Sequence, residues 1–322
     1  MKISFVIPCY RSEKTIEHVV DEINVVMSER PKNAYEIILV NDCSPDNVYS
    51  IISELAKENS QIKVINFARN FGKASAVLAG FRVASGDIIV NLDDDGQCPL
   101  NYTGELIDAL GEKYDISMAA YTVKLESLYK RIGSRANAYL MSLLLDQPPN
   151  VKTSNFWAVK KFVAKEMIRY TNPFPNLQGL LFQISHNIVL IPMEERNRFD
   201  DNASGFTLLK SAKLVLDGCI NFSIKPLRVA SFLGFSISGF GFVYGIVLIL
   251  KKIMNPNILI GYSSLMVTVL FIGGVIMILL GIIGEYLGRL LVSINNSPQY
   301  IVRDTINIVQ KEDDDTILAK KQ

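Results

Sequence analysis

Residues 86–97 read GDIIVNLDDDGQ, an apolar run that ends in three consecutive carboxylates. The apolar part is typical of a buried strand, and Asp93, Asp94 and Asp95 follow its carboxyl end. Three adjacent acids repel one another unless a positive charge lies among them, and oxygen ligands suit a hard cation such as Mg²⁺ or Mn²⁺. Ligands of open α/β sheets bind at the carboxyl ends of strands. The alternative interpretation is an acidic surface turn that caps the next helix.

Strand and helix patterns alternate on the amino-terminal side of this run. Strands are predicted at residues 3–7, 35–40, 62–66 and 88–92, with helices at residues 14–28, 48–59 and 73–84. This order predicts an α/β fold with a parallel sheet and crossover helices. Polar residues follow all four strands, so we expect one ligand cleft at that edge of the sheet. The sequence lacks the glycine-rich dinucleotide motif and the P-loop lysine motif, which excludes those two site types.

Apolar residues are concentrated after about residue 229. The chain has 322 residues, of which 49% are hydrophobic, and a mean hydropathy of +0.23. Residues 231–250 and 265–284 contain no charged side chain, and each run has about the 20 residues that cross a bilayer. We therefore predict a catalytic domain at 1–228, transmembrane helices at 229–252 and 263–287, and a cytoplasmic tail at 288–322. Glycines along both spans leave room for close helix packing, which favours a homo-oligomer.

Charge and cysteine usage suggest where the domain resides. Lysines and arginines flank the two spans slightly more than they occupy the loop between them, which favours a cytoplasmic catalytic domain by the positive-inside rule. The four cysteines lack metal-type spacing, as expected in a reducing compartment. We predict a multi-pass protein of the cell (inner) membrane. Residues 207–228 form an amphipathic juxtamembrane segment or an ordinary surface helix, and the tail from about Asn295 is partly disordered.

Two classes of chemistry have little support in the composition. The net charge is +1, and the basic residues of the first two hundred positions are scattered, so we expect no nucleic-acid partner. Acid–base catalysis by histidine also has little support. The only two histidines are His18, in a predicted helix, and His186, in an apolar stretch, and a structural role is the simpler interpretation of both.

Four motifs together resemble the family 2 glycosyltransferases of GT-A fold. They are PCYRSE at 8–13, VNDCSPD at 40–46, RNFGK at 69–73 and DDDGQ at 93–97. Within that family the chain looks like the polyprenyl-phosphate glycosyltransferases related to dolichol-phosphate mannose synthase. The two spans and GEYLGR at 284–289 are similar to bacterial GtrB-like enzymes, which charge undecaprenyl phosphate with a hexose.

The resemblance implies a role for each matching residue. The nucleotide-sugar site would comprise Pro8, Tyr10, Glu13, Asp42, Lys73, Asp94 and Arg198. The catalytic residues would be Asp93, Asp95 and Gln97, with Asp95 and Gln97 nearest the metal. The acceptor phosphate would be bound by Lys130, Arg131, Ser134 and Arg135.

The sequence departs from the family pattern near these positions. Cys43 stands where the family usually has glycine, which suggests that the turn needs no positive φ or is shifted. Asp94 stands where an apolar residue is usual, and Cys98 to Asn101 replace an acidic, proline-rich run. These changes lie around the sugar and the acceptor.

The implied reaction is an inverting, Mg²⁺- or Mn²⁺-dependent transfer of a hexose from UDP-glucose or UDP-GlcNAc to undecaprenyl phosphate, for modification of a cell-surface glycan. A lipid phosphate is mostly dianionic at neutral pH and needs orientation rather than a strong base. The alternatives are a membrane enzyme that extends a polysaccharide or lipid-linked glycan, and an inactive nucleotide-sugar binder. Partners would be the donor, the lipid phosphate and the bilayer. Truncation at about Phe222 would leave a soluble domain that still binds nucleotide.

Overall fold

The computed structural model describes residues 1–121, 154–173, 175–194, 196, 262–295 and 297–308, with scattered positions between 232 and 254. The chain divides into two compact units. The first comprises Met1–Phe206 together with Pro298–Gln322, and the second comprises Thr207–Ser297. The first unit therefore consists of two stretches of chain, before and after the second.

The centre of the first unit is a four-stranded parallel arrangement. Its strands are β1 (Lys2–Cys9), β2 (Ala34–Asn41), β3 (Ile62–Phe67) and β4 (Ile88–Asn91), in the order β3-β2-β1-β4. The helices between them are α1 (Ile16–Ser28), α2 (Val48–Glu58) and α3 (Lys73–Val83). Every one of these elements was predicted from the sequence, with ends within two residues of those observed.

The outer strands make the sheet mixed. Chain order continues with α4 (Thr103–Leu110), β5 (Ile116–Tyr121), β6 (Trp157–Lys160), α5 (Lys161–Met167), α6 (Leu177–Ile184), β7 (Ile188–Met193), α7 (Tyr262–Ile294) and β8 (Val302–Ile306). The eight-stranded order is β7-β5-β6-β4-β1-β2-β3-β8, with β6 antiparallel to both its neighbours and β8 antiparallel to β3. The prediction of a parallel sheet is correct for the four central strands and wrong for β6 and β8. The apolar pattern of a strand does not encode its direction.

Both faces of the sheet are covered, which explains the continuous apolar runs of the central strands. In α1 the buried residues Ile16, Val19, Val20 and Ile23 recur at helical spacing and pack on one face with Phe5. On the other face α3 packs against Val6 and its neighbours. A Cβ at Gly80 of α3 would overlap the Val6 side chain, so glycine permits this close approach.

The second unit contains the helix α7. Its stretch Phe271–Gly288 is the one segment, among the residues the structure describes, that is long and apolar enough to cross a membrane, and none of it is buried. The other predicted span, 229–252, lies largely outside the described residues, and its described positions are helical. Two transmembrane helices therefore stay a prediction.

The chain returns to the first unit after α7. The buried side-chain amide of Gln299 donates to the carbonyls of Tyr170 and Asn172, and the Ala68 N–H donates to the carbonyl of Ile301. Strand β8 then pairs with β3. The tail is ordered at this strand, and residues 309–322, where the predicted disorder would have to lie, are outside the described residues, so that expectation stays a prediction. Truncation at about Phe222 would remove β8, so a soluble fragment must carry residues 298–308 in addition to the amino-terminal part.

A buried carboxylate joins the strands at the amino end of the sheet. Glu36 is 2% exposed and forms ion pairs with Lys2 at 2.8 Å and Lys63 at 2.9 Å. It also accepts hydrogen bonds from the Ser4 hydroxyl at 2.6 Å and the Ser85 N–H at 2.7 Å. Burial by itself raises the pKa of Glu36, but the hydrogen bonds outweigh it and bring the pKa down to about 2.

We expect Glu36→Gln to lower the free energy of unfolding by roughly 2–4 kcal/mol at pH 7, because two lysines lose their buried partner. The folded-state pKa lies below the unfolded value of about 4.3, so the stabilisation is complete above about pH 5 and is lost as the pH falls towards 2. Denaturation of the full chain in detergent at pH 7 and pH 3 measures the difference. Glu58→Gln, at an exposed position of α2, is the control, and a Glu36→Gln protein as stable as wild type at pH 7 would contradict this account.

Candidate active site

The carboxyl ends of the four parallel strands form one cleft of about 290 Å³. The structure brings seven of the predicted site residues together along it. They are Pro8, Tyr10, Asp42, Lys73, Asp93, Asp94 and Asp95. Cys9, Asn70 and Gly72 complete the lining. Parallel strands place their carboxyl ends on the same edge, so residues up to 87 positions apart in the chain share this site.

Asp42 joins the end of β2 to the turn before α3. Its buried carboxylate accepts hydrogen bonds from the N–H groups of Phe71 at 2.7 Å and Gly72 at 2.9 Å. Burial raises the pKa of Asp42, although these two bonds act in the opposite direction. The side chain therefore fixes the distance between two of the loops that line the cleft.

The loops after β1 and β2 are connected by reciprocal hydrogen bonds. The Arg11 N–H donates to Ser44 Oγ at 2.7 Å, and the Glu13 N–H donates to Asp46 Oδ2 at 3.0 Å. In return the Asn47 N–H donates to Glu13 Oε2 at 3.0 Å. Glu13 lines a second cleft of about 330 Å³ with Arg11, Lys14, Pro45 and Asp46, and does not line the first.

Lys73 supplies the positive charge that the acidic run requires. Its ammonium forms an ion pair with Asp93 Oδ1, while the side-chain amide of Asn155 donates to Asp93 Oδ2 at 3.1 Å. Both oxygens of Asp93 therefore have partners within the chain. Asn155 was not predicted from the sequence. It faces Asp93 because β6 runs antiparallel to β4 with Trp157 opposite Asn91, a pairing that no local pattern signals.

Asp94 connects the acidic run to the first loop. Its Oδ2 accepts the Tyr10 N–H at 2.9 Å, and its carbonyl accepts the Thr15 hydroxyl at 2.5 Å. Burial raises the pKa of Asp94 to about 6, against the lowering effect of the bond from Tyr10. A carboxylate here thus has a hydrogen-bonding role where an apolar residue would have none.

Asp95 is the third carboxylate of the acidic run that lines the cleft. Its Oδ1 accepts the Gln97 N–H at 3.1 Å, and the side chain is partly exposed to the cleft. In the described part of the chain, no three His, Cys, Asp or Glu side chains converge on a point that could hold a metal ion. One or two carboxylates are enough for Mg²⁺ or Mn²⁺, because such ions complete their coordination shell with water and substrate phosphates.

The turn after β2 has a left-handed residue at Cys43. Its φ is +50°, so the suggestion that the turn needs no positive φ is wrong. Arg11 in the facing loop has φ +58°. For L-residues this conformation costs about 1–2 kcal/mol relative to the right-handed region, whereas glycine adopts it freely. The strain lies beside Asp42, where the hydrogen bonds between the loops hold the backbone.

The remaining predicted site residues lie outside the described part of the chain. They are Lys130, Arg131, Ser134, Arg135 and Arg198, and their roles stay predictions. Arg196, close to the last of these, donates to Glu22 at 2.6 Å and to Asn101 at 3.0 Å. It therefore anchors the segment after β7 to α1 and to the loop that follows the acidic run.

Comparison with protein families gives two matches. The model of glycosyl transferase family 2 matches residues 4–168. The model of the GtrB C-terminal hairpin matches residues 225–290. The first match contains every residue that lines the cleft, and the second contains both predicted spans.

Individual proteins are similar over nearly the whole chain. An uncharacterized glycosyltransferase of Synechocystis sp. is 34% identical, over 94% of this chain and 95% of its own length. A prophage-derived bactoprenol glucosyl transferase of Shigella flexneri is 30% identical, over 94% and 98%. Among solved structures, glucosyl-3-phosphoglycerate synthase from Mycobacterium tuberculosis in complex with uridine diphosphate is 19% identical, covers 66% of this chain and 76% of that chain, and has a TM-score of 0.49.

The left-handed turn at Cys43 gives a prediction about stability. We expect Cys43→Gly to raise the free energy of unfolding by roughly 0.5–1 kcal/mol, because glycine removes the strain at φ +50°. Cys43→Val should lower it by at least ~1 kcal/mol, since a β-branched residue is least tolerated there. Denaturant midpoints of the three full-length proteins test the order Gly, Cys, Val. A valine variant as stable as wild type would show that the turn is not strained.

Proposed function

This chain belongs to glycosyl transferase family 2, and from that membership we propose that it transfers a hexose from UDP-glucose or UDP-GlcNAc to undecaprenyl phosphate, with inversion at the anomeric carbon. The chain is a glycosyltransferase with a polyprenyl-phosphate acceptor, as its bactoprenol glucosyl transferase relatives and its matched hairpin indicate. Its α/β domain has a GT-A-like fold with a mixed sheet. The sugar, the stereochemistry and the metal dependence belong to the proposal.

The observation that carries the proposal is the arrangement of charge along the cleft. Asp42 follows β2, Lys73 begins α3, and the acidic run follows β4, and all of them line the same cleft. A UDP sugar has the matching pattern, with a base that carries an N–H donor at one end and a negatively charged diphosphate between the ribose and the sugar. Asp42 is suited to accept from the base, and Lys73 is suited to contact the diphosphate by charge-assisted hydrogen bonds.

Metal dependence follows from the chemistry of the leaving group. A divalent cation bound at Asp95, with Gln97 beside it, would neutralise the charge that develops on the departing diphosphate. The protein's own residues prepare the place. Lys73 and Asn155 bind the two oxygens of Asp93, and the Tyr10 N–H donates to Asp94, so these contacts hold the acidic run beside the cleft.

The acceptor phosphate needs positioning more than deprotonation. A phosphate monoester with a second pKa near 6 is mostly dianionic at neutral pH. Neither His18 nor His186 lines the cleft, and both are exposed. We propose that Lys130, Arg131, Ser134 and Arg135 orient this phosphate, with Arg198 on the phosphate groups of the donor or the acceptor.

The lipid acceptor makes a membrane location part of the function. The names of two relatives describe them as a bactoprenol glucosyl transferase and a homolog of one. The apolar helix stretch Phe271–Gly288 supports association with a bilayer. We extend this to a multi-pass protein of the inner membrane with domains 1–228, 229–252, 263–287 and 288–322, a cytoplasmic catalytic domain and a homo-oligomeric state. The product would be a lipid-linked sugar for modification of a cell-surface glycan.

We expect Asp95→Asn to lower turnover by at least ~100-fold while the protein stays folded and membrane-bound, because the leaving diphosphate loses its metal-mediated stabilisation. The full chain is incubated in vesicles with undecaprenyl phosphate, Mn²⁺ and a series of UDP sugars, and the lipid product is identified by mass spectrometry. Asp87→Asn, an exposed acid at the opposite end of β4, is the matched control. Near-normal turnover of Asp95→Asn would contradict the metal assignment, and a glycosylated lipid from none of the UDP sugars would contradict the proposed donor.

A further inference from the structure

The chain that follows α7 adds a strand beside β3, the strand that leads into one of the cleft loops. We call residues 298–308 the C-terminal strap; all of them belong to the same compact unit as the cleft. The strap contains β8, which pairs with β3, and β3 ends where the third cleft loop begins. Two strap side chains contact the elements next to the cleft loops: Asp304 contacts Asn66 of β3 and Tyr49 of α2, and Tyr300 contacts Phe67 at the end of β3.

A series of hydrogen bonds runs from Asp304 to the loop at residues 42–46, which follows β2. Asp304 Oδ2 accepts from the side-chain amide of Asn66 at 3.0 Å. Asn66 Oδ1 accepts from the side-chain amide of Asn41 at 2.8 Å. Asn41 Oδ1 accepts from the Ser44 N–H at 3.1 Å. The Tyr49 hydroxyl donates to the other oxygen of Asp304. The series thus crosses three adjacent strands, β8, β3 and β2, and ends in the loop that follows β2.

The direction of this series is set at its Asp304 end. An amide has one donating end and one accepting end, whereas a carboxylate only accepts. Asp304 therefore orients the Asn66 amide, which orients the Asn41 amide, which leaves an oxygen facing Ser44. Asn41 and Asn66 are each only 4% exposed, so water cannot compensate for a reversed amide.

The loop at the end of the series carries the contacts that shape the cleft. Ser44 Oγ accepts the Arg11 N–H and donates to Asp46, and Asp42 lies two residues before Ser44. A second series of contacts, through aromatic rings, also connects the strap to Asp42. Tyr300 stacks on Phe67 with ring centroids 5.2 Å apart, Phe67 meets Phe71 edge to face at 5.7 Å, and the Phe71 N–H donates to Asp42.

We propose that Asp304 is a positioning residue for the nucleotide-binding loop at residues 42–46, acting through Asn66 and Asn41. It touches no substrate. The donor site is completed by chain that comes after the hairpin, although every residue assigned to that site comes before it. This inference rests on the proposed function, because it takes the cleft to be the site for a UDP sugar.

The test is UDP binding by the full chain in detergent with Mn²⁺, measured calorimetrically, together with the KM for undecaprenyl phosphate. Asp304→Ala should raise the Kd for UDP about tenfold, as expected for an interaction of ~1.4 kcal/mol, and change the lipid KM less than about twofold. Asp304→Asn should bind nearly as wild type, because its oxygen still accepts from Asn66 and its amide can donate to Tyr49. Asp304→Ala combined with Asn66→Ala should bind no more weakly than Asp304→Ala alone, since both remove the same series.

Arg303→Ala is the matched control. Arg303 is the exposed neighbour on β8, and its guanidinium donates to the Ala68 carbonyl at 3.2 Å without joining the series. A purely structural role for Asp304 would lower the Tm while leaving the Kd for UDP equal to that of Arg303→Ala, which would overturn the proposal. An Asp304→Asn protein as weak as Asp304→Ala would also overturn it. If the wild-type protein does not bind UDP, both the proposed function and this inference are wrong. If the wild-type protein and Asp304→Ala bind UDP equally tightly, only this inference is wrong.

Discussion

Carboxylates cannot gather at one edge of a sheet unless each receives a hydrogen-bond donor or a cation, and the cleft depends on meeting that condition. Asp42 receives two backbone N–H groups, Asp93 receives Lys73 and Asn155, and Asp94 receives the Tyr10 N–H. Each donor comes from a different loop from its acceptor. The hydrogen bonds that make the acids tolerable therefore also hold the loops at fixed distances, so the shape of the cleft and the stability of its charges have the same cause.

The pKa values of the carboxylates shift in opposite directions at the two ends of the sheet. At the amino end, Glu36 is surrounded by two lysines and by hydroxyl and N–H donors, and its pKa falls to about 2. At the carboxyl end, burial prevails and raises the pKa of Asp42 and of Asp94. Asp42 and Asp94 both line the cleft together with Lys73, and carboxylates whose pKa is raised by burial are often found at functional sites.

The strap extends the same logic to a part of the chain that is remote in sequence. Asp304 is an acid at the edge of the sheet whose donors, Asn66 and Tyr49, belong to the domain before the hairpin. The catalytic unit is thus discontinuous, with the hairpin inserted between its seventh and eighth strands. Removing everything after residue 206 would leave the Asn66 amide without the acceptor that orients it, as well as deleting an edge strand.

The sequence by itself determined the four central strands, the helices between them, the polar strand ends and the acidic run. These follow from local periodicity, because strands covered on both faces read as apolar runs and helices show a buried stripe at helical spacing. Only the tertiary structure decided that Asn155 faces Asp93, that Cys43 is left-handed, and that Asp304 accepts a hydrogen bond from Asn66. Asn155 and Asp304 depend on the direction and register of strands that pair over 60 to 240 residues, and Cys43 depends on bonds between two loops. Such pairings are settled by packing among distant segments, and a local pattern carries no record of its partner.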